Sequence, residues 1–326
     1  MKKDKFISKI NLWHRNKTPF LFLINFELTK FKAYKLDKIP GDVFFDIEGI
    51  TNHKEFHFLK EPDVQNVTND IESYTRKYKQ VMEEILYGNT FLINLTQKSE
   101  IQCTGTLLDL YKASNAKYKL YYKDQFIVFS PETFVKISND RITTYPMKGT
   151  IDAQEINAQE ALINDEKELA EHYTIVDLLR NDLSMVADKV KVDRFRYFDL
   201  IESRNSKIWQ TSSVISGEIR DEFKSNIAEL ILTLLPAGSV SGAPKKKTVE
   251  IIQKVEGEPR GFYTGIMGVF DGTTLNSGVM IRFVEKSKNI LYYRSGGGIT
   301  HLSDVEEEYQ ELKKKVYVPV RRKHKD

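Results

Sequence analysis

What most constrains this chain is a repeated pattern: a short run of aromatic and β-branched residues, a tight turn, then another such run. Residues 126–129, 134–137 and 141–145 follow one another closely, with Asn139-Asp140 at the second turn, and read as a meander of strands. Residues 265–270 and 275–284 flank Asp271-Gly272, a hairpin signal. Links this short can join only antiparallel strands, because a parallel pair needs a crossover of a dozen residues or more. Strand-like runs also outnumber helical patterns. The expected class is therefore α+β with antiparallel sheets, not a doubly wound parallel sheet.

The remaining segments fit that class. Residues 20–27, 31–36 and 43–47 read as strands, making 1–65 a β-rich segment expected to pack on the same core as the rest. Residues 66–87 carry Val67, Ile71, Tyr74, Tyr78, Val81 and Ile85 at helical spacing, and Gly88-Asn89 stops them. A strand is expected at 90–97 and a long helix at 154–183. Strands follow at 189–198 and 212–219, and a helix over 227–235 ends at Pro236. A helix at 244–253, a strand at 289–294 and a last helix at 304–315 complete the pattern. No repeat or linker divides the chain, so 66–320 is expected to be one catalytic domain, with 321–326 a basic tail.

Composition removes several classes of function. The 326 residues are 40% hydrophobic with 19 Phe and 16 Tyr, enough for a packed core. The 49 basic and 46 acidic residues leave a net charge of +3, which makes no case for nucleic-acid binding. The single cysteine, Cys103, excludes an internal disulfide and a cysteine-rich metal site, and fits a reducing cytoplasm. The apolar stretch at 20–26 is short, interrupted by Asn25 and followed by Glu27, so neither a signal peptide nor a membrane span is expected.

Four motifs carry candidate chemistry. Pro146-Met147-Lys148-Gly149-Thr150 sets a lysine in a restricted, glycine-bearing turn. Glu168-Leu169-Ala170-Glu171 and Glu308-Tyr309-Gln310-Glu311 each put two carboxylates on one helical face. Oxygen-only ligands of this kind suit Mg2+ rather than zinc. Residues 236–245, rich in glycine, open a helix whose free N–H groups favour an anion, but they lack the Lys-Ser/Thr of a nucleotide loop. Arg282 offers a fork matched to a carboxylate, with Gly296-Gly297-Gly298 nearby in sequence.

Taken in order, these motifs resemble the chorismate-utilising enzyme family over most of residues 71–315. Ser130-Pro131-Glu132-Thr133-Phe134, Ala170-Glu171-His172 and the stretch Ile175 to Leu183 extend the match. The resemblance implies a sandwich-like core of antiparallel sheets flanked by helices. It also implies Mg2+ held by Glu171 and Glu311 with Glu168 and Glu308 nearby, and a chorismate carboxylate held by Arg282, Gly296, Gly297 and Gly298. Further substrate contacts are implied from Gly149, Thr150, Ser241, Tyr263 and Lys315, and a polar one from Gln210, where many relatives carry histidine. Glu132 matches the family's general acid.

Within the family, a lysine at position 148 resembles aminodeoxychorismate synthase component I, where anthranilate and isochorismate synthases usually carry alanine. Leu92 stands where isochorismate synthases place a water-activating lysine. The resemblance thus implies that Lys148 attacks chorismate and that ammonia then adds at C4. No glutaminase elbow surrounds Cys103, so ammonia is expected from a separate glutamine amidotransferase subunit. Neither a tryptophan-binding extension nor a C-terminal lyase domain is recognisable. Anthranilate synthase component I is the alternative reading.

Overall fold

The computed structural model describes residues 1–54, 56, 62–67, 70–202 and 207–319. The basic tail expected at 321–326 lies outside the described residues, as does part of the start of the helix expected at 66–87. In chain order the first half holds α1 (Lys3–Arg15), β1 (Phe20–Ile24), β2 (Phe31–Lys35), β3 (Val43–Ile47), β4 (Ile50–Thr51), β5 (Val64–Asn66) and α2 (Ile71–Leu86). It continues through β6 (Leu92–Cys103), α3 (Leu107–Ala113), β7 (Tyr118–Tyr122), β8 (Phe126–Ser130), β9 (Thr133–Ser138), β10 (Arg141–Thr144) and β11 (Met147–Asp152). The second half opens with α4 (Ala158–Asn164), α5 (Glu166–Ser184), β12 (Ala187–Glu202), β13 (Lys207–Ile219), α6 (Asp221–Lys224), α7 (Ile227–Thr233) and β14 (Gly242–Ala243). It closes with α8 (Lys245–Glu256), β15 (Ile266–Phe270), β16 (Leu275–Val279), β17 (Phe283–Ser287), β18 (Ile290–Ile299) and α9 (Val305–Lys314).

Two antiparallel sheets of nine strands each form the body. The first runs β11-β13-β10-β9-β16-β15-β1-β2 with β12 on β13; the second runs β14-β6-β18-β17-β8-β7-β3-β4 with β5 on β6. Strand β1 shows how they stack. All five of its residues are buried because the strand is covered on both faces. Phe20, Phe22 and Ile24 join a core with Phe6 and Ile10 of α1 and Val176 of α5. Leu21 and Leu23 point the other way and pack with Phe45, Leu120 and Val128 of the second sheet. A one-residue slip of β1 would exchange the two sets, so its register is pinned from both sides. Helices α2, α8 and α9 pack on the β6–β18 end of the second sheet through Tyr74, Ile251, Ile299 and Leu312.

The α+β class with antiparallel sheets is as expected, and residues before 65 contribute strands to both sheets. Several local expectations need correction. The run 126–145 is not one meander: β8 lies in the second sheet and β9 in the first, and only β9–β10 is a hairpin. Asn139 and Asp140 turn it, both at positive φ (50° and 55°). The run 275–284 likewise leaves the first sheet after β16 and enters the second at β17. Because β8 pairs with β17 and β9 with β16, the two chains cross between the sheets side by side. They stay bonded while crossing: Val279 N–H donates to Glu132 O (3.1 Å) and Phe129 N–H to Arg282 O (3.2 Å).

The pattern at 154–183 divides into α4 and α5 at Asp165, whose extended backbone and side chain, accepting from Glu168 N–H (2.9 Å), start a new helix. Helix α2 begins later than the pattern suggests, capped by Asp70. The triple glycine is no loop; it is the end of β18, with Gly296, Gly297 and Gly298 opposite Thr96, Leu95 and Asn94. Helices α1 and α3 and strand β7 have no counterpart in the sequence reading.

Candidate active site

Lys148 owes its direction to a β-bulge. Met147 pairs with Ser212 and Thr150 with Gln210, so Lys148 and Gly149 together face the single residue Thr211. Gly149 sits at φ +84°, where a side chain would be strained. A Cβ there would also lie 3.1 Å from Glu168 Oε2 and 3.2 Å from Leu162. The Thr211 hydroxyl donates to Lys148 O and fastens the bulge to β13. Beneath it, buried His172 of α5 shares a 2.7 Å hydrogen bond between Nε2 and Ser213 Oγ. Burial and the Arg196 guanidinium push this imidazole down to about 4. Arg196 in turn donates to the carbonyls of Leu162 and Ile163 (2.9 Å each), closing the C-terminal end of α4.

So held, the Lys148 ammonium makes an ion pair with Glu171 of α5. Glu168 lies one turn earlier on the same face, and its Oε2 is buried without a hydrogen-bond partner. From α9 come Glu308, whose Oε1 accepts from Ser303 Oγ (2.8 Å), and Glu311, paired with Lys315 Nζ (2.6 Å). Lys315 also donates to Gly296 O (2.9 Å). Gly297 makes the approach of α9 possible, since a Cβ would sit 3.1 Å from Glu308 Oε2.

The paired crossings supply the opposite wall. Glu132 lies on one crossing and Arg282 on the other, the latter at φ 51°. Ser239 donates its hydroxyl proton to Glu132 Oε1. Arg282 stacks its guanidinium on Tyr317 (5.3 Å to the ring centre), and its Nε is buried without a hydrogen-bond partner. Tyr263 packs on Phe283, and burial pushes its hydroxyl up to about 12.

These groups form one electrostatic set. Glu132 interacts with Arg282 and Lys315, Lys315 with Glu311, Arg282 and Lys148, and Lys148 with Glu171, Glu311 and Glu168. Burial raises Glu132 despite Ser239, Arg282 and Lys315, the direction a proton donor requires. Burial also raises Glu168 and Glu308. Lys148 goes the other way from a nucleophile: burial pulls it down, but Glu171, Glu311 and Glu168 outweigh burial and hold it protonated.

The donor set fits a divalent cation in charge and type. Four carboxylates against the ammoniums of Lys148 and Lys315 leave two formal negative charges, and one buried carboxylate oxygen is unpartnered. Among the described residues no three His, Cys, Asp or Glu groups converge as ready ligands, and Glu171 and Glu311 are each paired with a lysine.

Other expected residues stand apart. Strand alternation places Gln210 on the face of β13 opposite Thr211 and Ser213, so it does not join this set; its backbone pairs with Thr150, which is exposed. Ser241 is fully buried and donates to Ala237 O (2.8 Å), which shapes its loop. Leu92 lies beside the end of β18, its Cδ1 3.3 Å from where a Gly298 Cβ would be. Ser239 and Asn94, whose buried Oδ1 is unpartnered beside Gly296, were not among the expected site residues; a serine next to glycine carries no signal of its partner. A cavity of about 600 Å3, lined by residues including Phe31, Phe126, Phe262 and Phe283, has none of these charged groups in its lining.

Residues 12–321 match the family model described as chorismate binding enzyme. The chain belongs to the chorismate-binding enzyme family. It is 46% identical over 329 residues to an uncharacterised PabA-like protein of Pasteurella multocida, covering 98% of this chain and all of that one. It is also 34% identical over 257 residues to an anthranilate synthase component 1 of Haloarcula marismortui, covering 74% of this chain and 51% of that one. Among solved structures, anthranilate synthase component I of Streptococcus pneumoniae matches with a TM-score of 0.66 and 28% identity over 79% of this chain and 59% of that one. The menaquinone-specific isochorismate synthase of Escherichia coli matches in fold, with a TM-score of 0.72 at 17% identity over 96% of this chain and 80% of that one. Members of this chorismate-binding family act on chorismate, and among the described residues no helix is long and apolar enough to cross a membrane.

Proposed function

We propose that this member is an aminodeoxychorismate synthase component I, which replaces the C4 hydroxyl of chorismate with an amino group. The observation that carries this reading is Lys148, a side chain with a nucleophilic nitrogen, aimed by a bulge into the carboxylate cluster. Arg282, with its unpartnered Nε, and the end of β18 would hold one substrate carboxylate. Mg2+ held by Glu171 and Glu311, with Glu168 and Glu308 beside them, would supply positive charge for the other carboxylate.

The chain's own residues do the rest. Lys148 gives up to solvent the proton that its carboxylate neighbours hold on it, to be regained when the lysine is released, and its Nζ bonds to C2. Both ring double bonds shift, from C1=C2 to C1=C6 and from C5=C6 to C4=C5, the C4–O bond breaks, and Glu132 gives its proton to the departing hydroxyl, which leaves as water. Ammonia then bonds at C4 while the bond from C2 to Lys148 breaks, and Glu132 recovers a proton from the ammonia nitrogen. The ammonia would come from a separate glutamine amidotransferase subunit.

Anthranilate synthase component I is the second reading, favoured by the identity to such proteins. Leu92, beside the end of β18, speaks against water as nucleophile, since an alkyl side chain cannot take up a proton. Product analysis decides between them. With chorismate, Mg2+ and ammonia, the expected product is 4-amino-4-deoxychorismate, converted to an aromatic amine only when a lyase is added. Anthranilate formed without a lyase would overturn the proposal.

A further inference from the structure

Glu132 makes one side-chain hydrogen bond among the described residues, and it comes from Ser239 to Oε1. The turn bearing Ser239 is fixed from every side. Asp182 of α5 accepts an ion pair from Lys245 (2.8 Å), and Lys245 also donates to Leu234 O (2.9 Å). Asp182 Oδ2 would lie 2.8 Å from a Cβ on Gly238, so a side chain before Ser239 would push against the aspartate that Lys245 holds. After it, buried Arg260 donates to Val240 O (2.7 Å), while its other nitrogens hold Glu256 and Asn94 O. Ser241 donates back to Ala237 O. A buried aspartate, a lysine and an arginine thus immobilise three residues whose middle member touches the acid.

We infer that Ser239 is the positioning residue for the acid: it keeps Oε1 as an acceptor, so that the proton Glu132 delivers is carried on Oε2. The hydroxyl has one proton to donate and spends it on Oε1. The carboxylic proton is then left to the other oxygen, which makes no hydrogen bond among the described residues. In the step concerned, that proton passes to the leaving hydroxyl as the C4–O bond breaks. The carboxylate left behind is stabilised by the same serine and by Arg282 and Lys315, the charged groups that face it. This inference rests on Glu132 acting as the proton donor in the reading above, but not on which nucleophile follows.

The test reads chorismate consumption in the presence of Mg2+ and ammonia. Ser239→Ala should lower kcat by ~10–100-fold and change KM by less than ~3-fold, whereas Ser239→Thr, which keeps the hydroxyl, should stay within ~3-fold of wild type. Removing a donor that favours the ionised carboxyl should move the alkaline limb of the kcat profile to higher pH. In a Glu132→Gln background, Ser239→Ala should cost less than ~2-fold more, because the two act as a unit. Equal and additive losses in both backgrounds, an unmoved limb, or a threonine variant as slow as alanine would overturn the inference. Ser239→Cys carries the same test if the alanine variant does not melt cooperatively. Wild-type protein that makes anthranilate sinks the proposed product but leaves this test intact; wild type that consumes no chorismate overturns both.

Discussion

Lys148 of β11 and Glu171 of α5 face each other as an ion pair, so the residue expected to attack substrate is also the counter-ion of an expected metal ligand. One side chain thereby links the nucleophile, the metal site and the bulge that aims it. A covalent role makes a direct prediction. Wild-type protein mixed with chorismate should show a lysine adduct at Lys148 by peptide mass spectrometry. Lys148→Ala should fold and bind chorismate but show no adduct, with turnover reduced at least ~10³-fold. An adduct-free wild type would reduce Lys148 to an electrostatic role.

The same pairing predicts competition for the metal. Replacing the ammonium by a neutral amide frees Glu171, so Lys148→Gln should bind Mg2+ more tightly than wild type, by ~10-fold. Glu168→Gln and Glu311→Gln should weaken binding by a similar factor. Calorimetric titration of the protein alone reads all three. Unchanged affinities would reject the ligand assignment.

Gly149→Ala should damage both stability and rate. The added methyl forces a left-handed residue and meets Glu168 Oε2 at 3.1 Å. The backbone term alone costs ~1–2 kcal/mol, visible as a lower denaturation midpoint. Since the bulge aims Lys148, kcat should fall more than the stability loss explains. A variant with wild-type kcat would show that the bulge is only structural.

An acid-linked stability loss is expected from Glu48. It accepts from Asn276 of β16 and pairs with Lys117 (3.1 Å) and Lys136, bracing the two sheets. Burial pushes its carboxyl up, but Lys136 and Lys117 prevail and hold it below the usual range. A depressed carboxylate contributes its full stability above the unfolded pKa of ~4.3 and loses it as pH falls through the folded value. Chemical denaturation should therefore show Glu48→Gln destabilised at pH 7 but converging on wild type at low pH. A pH-independent difference would remove this pair from the acid response.

Particular elements show where local reading worked. The β9–β10 turn was legible because Asn-Asp tolerates positive φ, and the carboxylate pairs because residues three apart share a helical face. The division at Asp165 was not legible, since one capping aspartate interrupts no apolar periodicity. Nor was the change of sheet after Ser130, because β8 is buried throughout and only Pro131 and Glu132 separate it from β9. Strand periodicity reports which face is buried, not which sheet lies beneath it.

The amino-acid order alone determined the antiparallel α+β class, the residue types of the cluster and its resemblance to the chorismate family. Those follow from short-range spacing, which any stretch of chain carries within itself. Only the tertiary structure decided that Glu132 and Arg282 ride on two strands crossing together between the sheets, and that Ser239 meets the acid from 107 residues away. It also decided the charge on Lys148. Burial would favour a neutral amine, yet carboxylates from α5 and α9 outweigh it. That balance depends on distances through space, which sequence separation does not encode.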